Sequence, residues 1–139
     1  MEYKCKIPCK KEKLGEVRSF VRNSMQEHNI SENVIEPVIL AVDEVCANVI
    51  IHSYGCNSRK KMDLNILFAK DNSSVTFEIH DASGCSFNIE NYEAPSIDQL
   101  IREKRKGGLG LRIVKQIMDR IEFESQPKLS TYRLYKKIP

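Results

Sequence analysis

The sequence predicts an α+β fold: a two-layer sandwich in which a mixed, mostly antiparallel sheet carries its helices on one face. Three observations predict it. Apolar residues recur at helical spacing through two long stretches before residue 53. Two segments with period-two alternation follow, joined by a run of turn-forming residues. A third helical stretch then leads into a closing pair of strands. Helices set apart from hairpin strands argue for separate layers rather than a parallel β-α-β arrangement.

In chain order, residues 3–7 alternate weakly and form an opening strand, which Pro8 ends. Between residues 11 and 28, Leu14, Val17, Phe20, Val21 and Met25 recur at helical spacing. Ser31-Glu32-Asn33 offers a cap for a second helix running to about His52, with Pro37 near its first turn and Gly55 closing it. Its apolar positions are Ile35, Val38, Ile39, Val42, Val45, Cys46 and Val49. Leu64, Ile66 and Phe68, then Val75, Phe77 and Ile79, alternate with polar neighbours around Lys70-Asp71-Asn72-Ser73, a β-hairpin. Regular patterning lapses between residues 81 and 110 apart from a short helix near 97–102, and so long an irregular stretch in one domain points to function. Residues 108–120 are helical, with Leu111, Val114, Ile117 and Met118 on one side. Residues 121–124 and 132–135 form a last hairpin turning at Pro127.

Composition narrows the function classes. The 139 residues fit a single domain, 1–139, which buries roughly two-thirds of its unfolded surface and needs no disulfide or metal to fold. A net charge of +3 is too mild to argue for direct nucleic-acid binding. No apolar run approaches the ~20 residues of a membrane helix, and no secretory signal is expected. Five scattered cysteines, Cys5, Cys9, Cys46, Cys56 and Cys85, read as reduced thiols of a cytoplasmic protein.

Three constellations carry chemistry. Glu44, Asn48 and His52 recur every four residues, so they share one face of the second helix, beside the apolar Val45, Cys46 and Val49. A carboxylate next to a carboxamide suits a general base beside a hard-cation ligand, although a solvated helix face has the same pattern. Asp81-Ala82-Ser83-Gly84-Cys85-Ser86-Phe87 follows a strand. A carboxylate there can accept a hydrogen bond from an exocyclic amine such as that of adenine, or can simply open a turn. Lys104-Arg105-Lys106-Gly107-Gly108-Leu109-Gly110-Leu111 leads basic and small residues into a helix start, where free N–H groups favour an anion. No Walker A pattern occurs.

In combination and in this order the three are far more specific. Leu40-Ala41-Val42-Asp43-Glu44-Val45-Cys46-Ala47-Asn48-Val49-Ile50-Ile51-His52-Ser53-Tyr54-Gly55 resembles the N box of the gyrase, heat-shock chaperone, histidine kinase and MutL ATPase superfamily, which shares the Bergerat fold. Gly107-Gly108-Leu109-Gly110-Leu111 resembles its second glycine box, and residues 81–87 resemble its first. The chain looks most like the bacterial anti-sigma factor serine/threonine kinases. That resemblance implies ATP and Mg²⁺ as cofactors. Glu44 would be the catalytic base and Asn48 the Mg²⁺ ligand. Asp81 would accept from the adenine amine, with Gly84 beside the base. Lys106 and the backbone of Gly108, Leu109, Gly110 and Leu111 would hold phosphates, and residues 88–106 would form a lid. Thr131 would reach adenine through water. The family spacing is Asp-x-Gly, whereas here Ser83 stands at the expected glycine and Gly84 follows.

The implied function is phosphorylation of an anti-anti-sigma partner together with sigma-factor binding, by a homodimer. Arg18 and Arg22, on one face of the first helix, could serve a partner or could simply be solvated. The alternative is a nucleotide-dependent switch that changes partners without transferring phosphate. A third possibility, thiol-metal binding through His52, Cys56, His80 and Cys85, is disfavoured because Gly55 interrupts the helix and no C-x-x-C occurs.

Overall fold

The computed structural model describes residues 1–53, 61–81, 108–126 and 129–139, without the side chains of 51–53, 108–111 and 125. The strands are β1 (Glu2–Pro8), β2 (Lys61–Phe68), β3 (Ser74–Asp81), β4 (Arg120–Gln126) and β5 (Leu129–Lys137). The helices are α1 (Leu14–Glu27), entered through a 3₁₀ turn at Lys11–Lys13, then α2 (Glu32–Ser53) and α3 (Gly108–Ile117). One five-stranded sheet runs β1-β2-β3-β5-β4, and every pairing in it is antiparallel, so the parallel component of the expected mixed sheet is absent among the described strands. The short helix expected near 97–102, the lid at 88–106 and the turn at Pro127 lie outside the described residues.

The α1–α2 hairpin is closed by local chemistry. Asn29 takes a left-handed conformation (φ 56) that only a few non-glycine residues tolerate, and the Ile30 amide reaches back to the Met25 carbonyl at 3.3 Å. Ser31 then caps α2: its hydroxyl accepts from the Asn33 amide and its carbonyl from Val34 and Ile35. Pro37 is the sixth residue of α2, deeper than its expected place. There its missing N–H removes one helical hydrogen bond. Three cross-links run between the helices in opposite order: Arg18–Asp43 at 3.0 Å, Arg22–Glu36, and Gln26–Glu32 at 3.0 Å. The two helices are therefore antiparallel. Arg22 also meets Glu32 at 2.7 Å. Both arginines that the sequence offers to a partner are thus engaged within the chain.

The β2–β3 turn uses the composition read from the sequence. Asp71 accepts from the Ser73 amide at 3.0 Å and from its hydroxyl at 2.6 Å, and Asn72 adopts φ 57. His28 stacks on Phe68 with ring centroids 3.7 Å apart and bonds to Asn72 at 3.0 Å, which fastens this turn to the end of α1. In β3, Val75, Phe77 and Ile79 are fully buried, as are Tyr132 and Leu134 opposite them in β5. With Val38, Val42, Val45 and Val49 of α2 they form the core between sheet and helices. The other sheet face carries Asn65, Glu78, His80, Thr131 and Arg133. The single-faced layering expected from the sequence is present.

Candidate functional site

Period-two geometry decides which side chains can meet. Asp81 continues the row of Val75, Phe77 and Ile79, so its carboxylate lies on the helix-facing side at the end of β3, 1% exposed. Its register partner on β5 is Ser130, and directly opposed residues in an antiparallel pair share a face. Ser130 is 3% exposed and continues the row of Tyr132 and Leu134.

Thr131 is different. It pairs with His80, and its Oγ1 lies 3.1 Å from His80 Nδ1, while His80 Nε2 lies 3.3 Å from Asn65 Nδ2 and 3.4 Å from Glu78. These groups belong to the sheet face turned away from the helices. Thr131 therefore does not share a face with Asp81, and Ser130 is the hydroxyl that does. The alternation of Ser130, Tyr132 and Leu134 was the available signal. The same placement puts His80 of the disfavoured metal set on the sheet face turned away from the helices. Cys56 and Cys85 are outside the described residues. Among the described residues no cluster of His, Cys, Asp and Glu could hold a metal, and Cys5 and Cys46 are free thiols.

On α2, Asn48 is 6% exposed and donates from Nδ2 to the Glu44 backbone carbonyl at 2.7 Å. A carbonyl only accepts, so the amide nitrogen must be the atom facing it. That fixes Oδ1 as the remaining acceptor, the atom a hard cation takes. The donor chemistry therefore fits Mg²⁺. Glu44 is part-buried, and burial, reinforced by the neighbouring Asp43 carboxylate, raises its carboxyl pKa above the ordinary value. Arg18 pairs with Asp43 at 3.0 Å. This pair was not anticipated, because residues 25 apart on two helices carry no local pattern. Cys46 is fully buried, and burial pushes its thiol far up, which leaves it inert at neutral pH.

Gly108, Leu109, Gly110 and Leu111 form the first turn of α3, whose amide groups have no partners inside the helix. An anion fits such a place. Gly84 and Lys106 lie outside the described residues. The His52 backbone belongs to α2, but its side chain is likewise outside the description. No described helix is long and apolar enough to cross a membrane.

The model of the histidine kinase-like ATPase domain family matches residues 7–136. The chain belongs to that family. It is 29% identical over 122 residues to the serine-protein kinase RsbW of Halalkalibacterium halodurans, covering 85% of this chain and 72% of the relative. To RsbW of Bacillus velezensis it is 28% identical over 128 residues, covering 86% and 76%. Among solved structures, the RsbU and RsbW domains of Rv1364c from Mycobacterium tuberculosis superpose with TM-score 0.70 at 14% identity, over 99% of this chain and 32% of that one. The SiaB-SiaC complex from Pseudomonas aeruginosa gives 0.66 at 12% identity, over 96% and 88%. At those identities the two structures establish the fold alone. The histidine kinase-like ATPase domain implies ATP as ligand, which agrees with a buried carboxylate, a carboxamide acceptor and a glycine-led helix start.

Proposed function

We propose that this histidine kinase-like ATPase is a protein serine/threonine kinase and anti-sigma factor, which phosphorylates an anti-anti-sigma protein and binds a sigma factor. The observation that carries the reading is the Glu44–Asn48 arrangement. A carboxylate with a raised pKa stands one turn before a carboxamide whose nitrogen faces the Glu44 carbonyl, which leaves its oxygen as the acceptor. The relatives named serine-protein kinases support it, as does the SiaB-SiaC complex, in which a protein of this fold is joined to a partner.

In this reading Mg²⁺-ATP supplies the phosphoryl group. Asn48 Oδ1 would hold the cation. Asp81 accepts a hydrogen bond from the adenine amine, and Ser130 lies beside it. The amides of residues 108–111 and the Lys106 ammonium hold phosphate oxygens. Gly84 gives room beside the base. Glu44 takes the proton from the acceptor hydroxyl, and its raised pKa makes it a stronger base than an ordinary carboxylate. Phosphoryl transfer depends chiefly on positioning and charge, which this set supplies. The chain would work in the cytoplasm as a homodimer.

The test is incubation with γ-labelled ATP, Mg²⁺ and the anti-anti-sigma-type proteins encoded near its gene. Label on a serine or threonine of one of them is expected. Partner exchange on replacing ATP by ADP, with no label on any of them, would establish the switch instead.

A further inference from the structure

Leu40, Glu44 and Asn48 follow one another at intervals of four on α2. Each lies about 6 Å further along the axis and ~40° further round, so they form one stripe. Exposure falls along it: Leu40 is 44% exposed, Glu44 is part-buried and Asn48 is 6% exposed. The stripe runs from solvent into the interior, and its cation-holding end is the closed one. Among the described residues of the stripe, the end open to a macromolecule that reaches Glu44 is the one that carries Leu40.

An exposed leucine alone needs no explanation. This one differs by its place. Among the described residues the other large exposed apolar side chains are Met1, at the first residue, and Leu129, at the start of β5. Leu40 stands in the middle of a 22-residue helix whose flanking Ile39 and Ala41 are buried, so the core makes no use of it. Charged pairs from α1 to α2 frame it on both sides: Arg18–Asp43 at 3.0 Å three residues later, and Arg22–Glu36 four residues earlier. An apolar anchor inside a polar rim is the usual anatomy of a protein interface centre.

We infer that Leu40 is the docking contact of the phosphoacceptor protein, which covers it with an apolar side chain while its serine or threonine hydroxyl reaches Glu44. The inference rests on the kinase reading and adds to it the surface that chooses the substrate. A folded acceptor with its hydroxyl at Glu44 extends over the adjoining helical turn, and on the open side that turn presents Leu40. The occupant is thus a protein with an apolar residue about one helical turn's length from its phosphorylated hydroxyl, not a small molecule.

The experiment compares wild type, Leu40→Ala and Leu40→Met. Alanine keeps the helix and removes the apolar surface, and methionine restores it. Three quantities are measured: ATP affinity, equilibrium binding of the acceptor by calorimetry, and KM and kcat for transfer to it. Leu40→Ala should weaken acceptor binding and raise KM by about three- to tenfold, the worth of covering the 44% of this leucine that is exposed. ATP affinity and kcat at saturating acceptor should stay at wild-type values, and Leu40→Met should recover most of the loss. Transfer with unchanged KM in Leu40→Ala overturns the docking inference and leaves the kinase standing. Acceptor binding that depends on Leu40 without any transfer overturns the kinase and leaves the docking surface. Absence of both binding and transfer overturns both.

Discussion

The opposite facing of Ser130 and Thr131 makes two hydroxyl deletions behave in opposite ways. Ser130 lies opposite Asp81 on the helix-facing side of the sheet, and Thr131 bonds to His80 on the other side. Ser130→Ala removes a hydroxyl beside the expected adenine position. A hydrogen bond there contributes about 0.5–1.5 kcal/mol, so ATP should bind about two- to twelvefold more weakly. Thr131→Val keeps shape but leaves His80 Nδ1 without its 3.1 Å partner. That should cost about 1 kcal/mol of stability, a melting temperature lower by about 3–5 °C for a chain of this size. ATP affinity should not change in this variant. Calorimetric titration with a non-hydrolysable ATP analogue and a thermal melt of each variant give both numbers. If Thr131→Val weakens nucleotide binding as much as Ser130→Ala does, the face assignment of β5 is wrong.

Further consequences are measurable with the same two instruments. Asp81→Asn should weaken ATP binding by about 1.5–3 kcal/mol, since a charged acceptor is lost, and the wild type should bind GTP weakly because guanine offers Asp81 a carbonyl in place of the amine. Equal affinity of the wild type for ATP and GTP would remove Asp81 from the adenine site. Asn48→Ala should abolish the strengthening of ATP binding by Mg²⁺, and persistence of the full wild-type factor would place the cation elsewhere. The pH dependence of stability follows from the raised Glu44 pKa. The folded state holds that proton more tightly than the unfolded chain, so the group lowers stability as pH rises through its folded pKa. In EDTA, Glu44→Gln should therefore melt above wild type at pH 7, and the difference should vanish as pH falls below the ordinary carboxylate range. A constant difference across that range would show that ionisation of Glu44 is not its source.

Most of the fold was legible because it rests on local signals. The spacing of Ile35, Val38, Val42, Val45 and Val49 specifies both a helix and its buried face. Alternation in β2 and β3 specifies the hairpin, and Asp71 and Asn72 supply its turn chemistry. The shared helix face of Glu44 and Asn48 was legible for the same reason, since four-residue spacing on a helix survives folding unchanged. Which of the adjacent hydroxyls Ser130 and Thr131 faces the helices was not legible, because only the register against Asp81 says so. Arg18 and Arg22 read as available because a sequence shows one helix at a time. Their partners Asp43, Glu32 and Glu36 come from the antiparallel neighbour. The exposure gradient from Leu40 to Asn48 was hidden for a related reason: spacing places residues on one stripe but does not say where the stripe enters the core.

The central claim is that Glu44 is the base of a phosphotransfer reaction. The most direct measurement is the single-turnover rate of transfer from Mg²⁺-ATP to an anti-anti-sigma-type protein, for wild type and Glu44→Gln, with ATP affinity measured in parallel. Loss of a general base should slow transfer by about 10²–10⁴-fold while ATP affinity stays close to wild type. A Glu44→Gln variant that transfers phosphate at the wild-type rate would contradict the account.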